Sequence, residues 1–281
     1  MKLDLNNITF VIVTYQSENI VKNCLDSLPK DSKKIIVENS NNINLKNDLE
    51  LKYDNIEVIL NENLGMGASN NIGIKKSNTD YVYILNPDVL FKKDTFLILE
   101  EEVKKIEDFS IISPTHYNKN FPNYKNPKKV DENIIEVDSV DGYSMLIKKK
   151  NFNNDFFDEN FFLYLENDDL CLRSKKRNEK IYVIKNSYIE HLGASSSFHK
   201  EKEFDYLRNW HWMWSKFYFN KKHFGYLNAI FKTIANLISA KVKFLFYLII
   251  LNKHKRKVYQ MRISGLINSM IGKKSYFRLK N

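Results

Sequence analysis

Cysteine, glycine and proline are all scarce in this chain, and each shortage removes a class of protein. Two cysteines in 281 residues, Cys24 and Cys171, supply neither a disulfide framework nor a zinc site. A reducing cytosol is the expectation. Eight glycines and five prolines are too few for a low-complexity or collagenous chain. No Gly-x-Gly-x-x-Gly follows the first apolar run, where TYQSEN stands instead, and the later Gly65-Met66-Gly67 has Asn70 in the third glycine's place. Dinucleotide and Walker A loops are therefore excluded. The opening MKLDLNNITF carries acid where a signal peptide needs base, so export is not expected. The apolar run Val242–Leu251 contains Lys243 and falls short of the roughly 20 apolar residues that span a bilayer.

Acid is nearly absent from one end. From Phe204 to Asn281 there are 16 Lys and Arg against a single Asp205, a net charge of +15, while the first 203 residues sum to −5. Body and tail face different partners. The rest of the composition, 43% hydrophobic and 14% aromatic, is ample for a packed core.

What is present in the body is an alternation of strands and helices. Ile8–Thr14, Lys34–Glu38, Ile56–Leu60 and Tyr81–Leu85 are short, β-branched or aromatic apolar runs. Between them, Ile20, Val21, Cys24, Leu25 and Leu28 recur at helical spacing, and NLGMGASNNIGIKK (63–76) leads through a glycine turn into a second helix. Thr95–Ile106 is helical as well. The pattern predicts an α/β fold on a largely parallel sheet, in which ligands sit outside the carboxyl ends of the strands. Thr14, Tyr15, Glu38, Asn86 and Asp88 all fall at such ends. Further on, residues 115–137 have the composition of a loop, 142–148 and 181–184 of strands, and 189–200 of a loop carrying His191.

Two chemistries suit these residues. Asp88, in the turn Asn86-Pro87-Asp88, is a hard oxygen ligand for a divalent cation on a diphosphate, and His191 could complete the shell as a neutral imidazole. The unadorned alternative is a polar turn closing a strand. Glu166, Asp168 and Asp169 crowd into four residues behind the aromatics of FFLYL, which favours a carboxyl with raised pKa, hence a general base. The same cluster would also serve as an ordinary acidic helix N-terminus.

Taken in order, VIVTYQSEN (11–19), VENSNN (37–42), NENLGMGASNNIGI (61–74), ILNPDV (84–89), FFLYLENDDLCLR (161–173) and HLGASSS (191–197) resemble the inverting family 2 glycosyltransferases of GT-A fold, and within them a rhamnosyltransferase-like branch. The resemblance covers about residues 1–200 as a catalytic domain, leaving 201–281 as a basic, aromatic helical appendage. It implies transfer of a sugar, such as rhamnose from dTDP-rhamnose or a hexose from a UDP donor, to a lipid-linked glycan of a bacterial surface polysaccharide. By the same resemblance Thr14, Tyr15, Glu38, Asn63, Gly65, Asn71, Asn86 and Asp88 would contact the sugar nucleotide. Asp88 with His191 would hold Mg2+ or Mn2+. The family commonly has Asp as its base where this chain has Asn167, so Glu166 or Asp169 is expected to take the proton, Glu166 first; a non-catalytic sugar-nucleotide binder is the alternative.

In the tail, aromatics alternate with basic residues. An interfacial amphipathic helix on an anionic cytoplasmic leaflet accounts for both, beside the plainer reading of a packed helical subdomain. Single-stranded nucleic acid would not require the apolar run at 242–251, and no nucleic-acid partner is expected.

Overall fold

The computed structural model describes residues 3–193 and 201–279. The chain divides into two compact units, one of residues 1–158 and 166–198, the other of residues 159–165 and 199–281.

In the first unit the chain runs β1 (Ile8–Thr14), α1 (Glu18–Ser27), β2 (Lys33–Glu38), α2 (Ile43–Lys52), β3 (Ile56–Leu60), α3 (Met66–Lys76), β4 (Tyr81–Leu85), β5 (Val89–Phe91) and α4 (Thr95–Val103). It continues through β6 (Ile111–His116), β7 (Tyr124–Lys125), β8 (Lys128–Lys129), β9 (Ile134–Glu136), β10 (Ser139–Val140), β11 (Ser144–Lys148), α5 (Glu166–Lys176) and β12 (Ile181–His191). The main sheet has the order β3-β2-β1-β4-β11-β6-β12-β9-β8, with β5 joined to β12. Strands β3, β2, β1 and β4 are mutually parallel, as βα connections require; β11 then enters antiparallel to both β4 and β6.

Both faces of β1 are covered, which explains its uninterrupted apolar run. Phe10 and Ile12 point to a core with Tyr83 of β4, Val21 and Cys24 of α1 and Leu99 of α4. Val11 points the other way, toward Ile74 of α3, Ile84 and Leu170 of α5. Gly73 permits the close approach of α3, since a Cβ there would run into the Val11 side chain.

Three segments depart from the sequence reading. The stretch 115–137 holds the short strands β7, β8 and β9 rather than loop alone. β12 extends past Ile184 through a register shift to Tyr188, Ile189 and His191, so His191 ends a strand instead of lying in a loop. Its extension is stabilised by pairing with β5 and β6, partners distant in sequence. Lastly, the aromatic residues before α5 belong with the second unit: the Phe161 ring packs edge-on to Tyr218, and Leu163 carbonyl accepts from the Ser215 hydroxyl at 2.9 Å.

That second unit packs α6 (Glu201–Phe224), α7 (Tyr226–Ile249) and α8 (Lys253–Met270) around Met213, Phe217, Ala229 and Leu266. Trp210 and Trp214 are almost fully buried, and each indole N–H finds an oxygen, Ser264 Oγ at 3.1 Å and Lys273 O at 2.9 Å. α6 and α8 meet at Gly265, where an added Cβ would collide with the carbonyl of Trp210. Backbone cannot step aside as a side chain can. Gly265→Ala is therefore expected to destabilise the helical unit by about 1–3 kcal/mol, measurable as a lower midpoint in tryptophan-monitored thermal unfolding.

Candidate active site

The carboxyl ends of β1, β2 and β4 converge because these strands are parallel neighbours. At the end of β4 the chain turns through Asn86-Pro87-Asp88 into β5, and the turn is held by Asn86 N–H donating to Tyr143 carbonyl (3.0 Å) and Val89 N–H to Asn86 carbonyl (3.2 Å). Asp88 is only 2% exposed. Its Oδ2 lies 3.4 Å from His191 Nε2, while its Oδ1 is shut off from solvent with no hydrogen-bond partner among the described residues. His191 is brought there by β5, since His191 pairs with Val89 and Leu192 N–H donates to Asp88 carbonyl at 3.0 Å. Its ring stacks on Tyr143 with centroids 4.1 Å apart.

These two side chains fit a hard cation. Among the described residues no group of three or more His, Cys, Asp or Glu side chains converges as a complete shell. One carboxylate and one imidazole, with remaining positions left to phosphate oxygens and water, is a donor set suited to a cation carried in with a diphosphate. The unsatisfied Oδ1 of Asp88 is the feature that asks for it.

The orphan acceptors extend along the strand ends. Thr14 Oγ1 at the end of β1, Asn86 Oδ1 and Glu166 Oε2 are likewise buried and without a hydrogen-bond partner among the described residues. A buried acceptor left unmatched costs about 1–3 kcal/mol, so Asn86 Oδ1 and Asp88 Oδ1, two residues apart in one turn, mark a place built for something absent from the chain itself. Tyr15 and Ser17 close the turn after β1, the Ser17 hydroxyl donating to Tyr15 carbonyl at 3.0 Å.

Glu166 opens α5. Tyr164 and Leu165 before it both have positive φ, 71° and 68°, a conformation that costs a β-carbon residue about 1–2 kcal/mol. Burial pushes the Glu166 carboxyl up to about 7, opposed by its backbone hydrogen bond, with the nearby Asp168 adding to the rise. Gly67, at the start of α3, lies beside Glu166 and close to Phe157, whose Cβ would be 3.1 Å from a Cβ added there.

The other predicted residues fall into structural positions. Asp169 is fully buried and paired with Arg173 at 2.9 Å; that guanidinium also bonds Asp155 and the Phe156 carbonyl. Asn167 donates to Val140 carbonyl at 2.9 Å and packs on Gly142. Glu38 is fully buried, and its carboxylate accepts from Ser40 N–H (3.1 Å), Ser40 hydroxyl (2.5 Å) and Asn42 N–H (2.6 Å), fastening the loop after β2. Asn63 Oδ1 accepts from Gly65 N–H at 3.1 Å, and Gly65 takes the φ of +93° that starts α3. Asn71 clamps the Phe157 backbone, donating at 2.8 Å and accepting at 3.0 Å. Residues 194–197 of the HLGASSS stretch lie outside the described residues.

Three residues at the site escaped the sequence reading. Tyr143 supports both His191 and Asn86; His116 Nε2 receives the His191 N–H at 3.3 Å; Asp141 stands beside them, its carboxyl raised by burial against the pull of Lys125. The only local mark was Asp141-Gly142 before a strand, and a turn explains that equally well.

Comparison with known proteins bears on this arrangement. The profile of Glycosyl transferase family 2 matches residues 9–172. The low-salt glycan biosynthesis hexosyltransferase Agl10 of Haloferax volcanii is 25% identical over 200 residues, 63% of this chain and 64% of its own. The chain thus matches less than two thirds of that relative. Mannosyltransferase PcManGT from Pyrobaculum calidifontis, crystallised with GDP-Man and Mn2+, superposes with a TM-score of 0.57 at 11% identity, over 94% of this chain and 87% of its own. S. aureus TarS 1-349 gives 0.52 at 14%, over 99% and 93%. GalNAc-T7 with UDP, GalNAc and Mn2+ gives 0.57 at 13%, over 76% and 49%. At such identities the shared property is the fold.

The raised Glu166 carboxyl has a consequence for stability. Its folded value of about 7 exceeds the ordinary 4.5, so the folded chain holds this proton more tightly and loses stability as pH climbs between those values. Glu166→Gln is expected to unfold at higher denaturant than the parent at about pH 8, by on the order of 1–3 kcal/mol, with the difference vanishing below about pH 5.

Proposed function

This chain belongs to glycosyl transferase family 2, and on that premise we propose that it moves a sugar from a nucleoside diphosphate to a hydroxyl of a lipid-linked glycan, with inversion at C1. The observation that carries the reading is the set of buried, unmatched acceptors at the strand ends, Thr14 Oγ1, Asn86 Oδ1 and Asp88 Oδ1.

In this reading Asp88 and His191 hold the cation together with the donor's diphosphate. A bound divalent cation supplies charge neutralisation for the departing diphosphate. Asn86, neutral and acceptor-bearing, takes a hydrogen bond from a donor hydroxyl. The acceptor oxygen attacks C1, the C1–O bond to the diphosphate breaks with its electron pair leaving on phosphate, and the acceptor proton passes to Glu166. A carboxylate with a value near 7 is matched to that task at neutral pH. Asp169 is the weaker candidate, because its charge is engaged by Arg173. The loop of Asn63 and Gly65 and the Asn71 clamp shape the wall at which ribose and sugar would lie. Base reading by Glu38 requires the 40–42 loop to give up one of its hydrogen bonds. The donor's identity rests on the resemblance: a dTDP-rhamnose or a UDP-hexose.

The same reading places the helical unit at an anionic membrane surface. Among the described residues no helix is long and apolar enough to cross a membrane. α7 nevertheless leaves an apolar stripe in solvent, with Leu227 and Phe231 each 81% exposed and Ile238, Val242 and Leu245 more than half exposed, while Ala229, Thr233 and Ala240 face inward. Lys253, Lys255, Arg256 and Lys257 follow at the start of α8. An apolar stripe beside dense positive charge suits the interface of an anionic bilayer.

Three outcomes are expected. A thermal-shift panel of UDP-, dTDP- and GDP-sugars finds a stabilising donor only with Mg2+ or Mn2+ present, and Asp88→Ala abolishes that shift. With the donor found, Glu166→Gln loses at least about 100-fold in kcat and wild-type activity falls away below about pH 7; Asp169→Asn instead loses stability and keeps turnover in the folded fraction. Donor binding without any turnover would establish the non-catalytic alternative. Finally, the protein sediments with phosphatidylglycerol vesicles but not phosphatidylcholine ones, and Phe231→Asp with Ile238→Asp, both at exposed positions, weakens this at least tenfold.

A further inference from the structure

Glu166 is the first residue of α5, and the residues ahead of it, 159–165, belong to the helical unit. One face of α6 holds them almost residue by residue. Arg208 donates from Nε to the Tyr164 hydroxyl at 2.7 Å, and the Trp212 ring meets the Tyr164 ring edge-on at 5.5 Å. The Ser215 hydroxyl donates to Leu163 carbonyl, and Tyr218 packs on Phe161, which is wholly buried. Arg208, Trp212, Ser215 and Tyr218 are spaced by three or four, as residues on a single helix face are.

Phe162 is held from the other end of the chain. Residues 273–278 cross α6 as a strap: the Trp214 indole donates to Lys273 carbonyl at 2.9 Å, and the Phe277 ring stacks on Trp210 with centroids 5.9 Å apart. His211 is the latch. Its side chain is fully buried, and burial pushes its value down to about 3, so the ring is neutral at physiological pH. A neutral imidazole has one donor and one acceptor. Nε2 lies 2.8 Å from Phe277 carbonyl, which can only accept, so Nε2 carries the proton and Nδ1 accepts from the Ser275 hydroxyl at 2.9 Å. With the strap fixed in this way, the Arg278 guanidinium lies 3.5 Å from the centroid of Phe162, and the His211 ring 4.6 Å from it.

This grip maintains a strained pair. Tyr164 and Leu165 stand consecutively at φ of 71° and 68°, a conformation that persists in residues with a β-carbon only where the surroundings over-determine it. The next peptide is that of Glu166, so the strained pair sets the direction in which α5 and its first carboxyl leave the segment. We propose that α6 and the 273–278 strap form a positioning device for Glu166, in which Arg208, His211 and Arg278 are positioning residues that hold the base in reach of the acceptor hydroxyl through segment 161–165. This rests on the glycosyltransferase reading and on Glu166 as its base. The three residues act through the backbone and not by contact with substrate. The helical unit thereby serves the transfer itself, besides carrying the apolar stripe of α7.

The test uses the full chain with Arg208→Ala, Arg278→Ala and the two combined. Both side chains are exposed, so the fold is expected to survive their loss, and thermal unfolding checks this. Lys274→Ala, exposed on the same strap, controls for the lost charge. Carboxyl 13C NMR of glutamate-labelled protein, assigned with Glu166→Gln, follows the Glu166 titration without any donor. The expected value is about 7 in the parent and in Lys274→Ala, and lower by about one pH unit or more in the double variant. With a donor found, kcat of the double variant falls at least about tenfold while donor KM stays within about twofold, since a misplacement of about 1 Å suffices for such a loss. The acid limb of its kcat profile moves to lower pH in step with the titration. A double variant whose titration and kcat both match the parent would overturn the proposal. So would a titration that moves while kcat does not, because the grip would then serve packing alone. A parent that turns over no donor would instead overturn the glycosyltransferase reading, and the role of the grip with it.

Discussion

Asp88 is held at the tip of β4, almost wholly out of water, with one carboxylate oxygen facing no donor among the described residues. An ionised carboxylate in such a place is expensive unless a cation or a donor comes to meet it. Much of the first unit works to keep it there. Parallel pairing of β1 with β2 and β4 brings the strand ends into one row. Strand β5 turns back to pair with β12, which sets His191 opposite. Tyr143 then ties the two together, its carbonyl receiving Asn86 N–H and its ring lying against His191.

The acids near α5 show how environment separates residues that look alike in a row. Glu166, Asp168 and Asp169 fall within four consecutive places at a helix start. Asp169 turns into the core and meets Arg173; Asp168 turns to Lys125 at 2.6 Å; Glu166 keeps one oxygen buried and unmatched, its carboxyl raised by desolvation. Two of the three are neutralised by partners. The third keeps a carboxyl that burial holds above the usual carboxylate range, and the backbone strain at Tyr164 and Leu165 immediately precedes it.

The helical unit carries the other unsatisfied surface. Its interior is ordinary, with tryptophans whose N–H groups are satisfied and a glycine at the helix crossing. The outer face of α7 is not, because its stripe of large apolar residues is in contact with water. A stripe of this kind commonly marks an interaction surface. Self-association along it would bring together two tails of net charge +15, which an anionic lipid surface would neutralise.

Local pattern was enough for part of this. The strands β1, β2, β3 and β4 were legible because each is a short β-branched or aromatic run bounded by turn residues, and their alternation with helices implied a parallel sheet with its ligands at the strand ends. Asp88 could be singled out by its place at such an end, and Glu166 by its neighbours. Sequence alone also separated a body of net −5 from a tail of net +15. What it could not supply were relations between distant residues. The extension of β12 to His191 depends on β5 and β6, and the Asp169–Arg173 pair is distinguished from Glu166 only by which way each side chain turns. Asp141 and Tyr143 from one segment and His116 from another gather around His191, so no short window of sequence contains them together. Burial, partner choice and pKa are properties of that gathering, and the tertiary structure alone decided them.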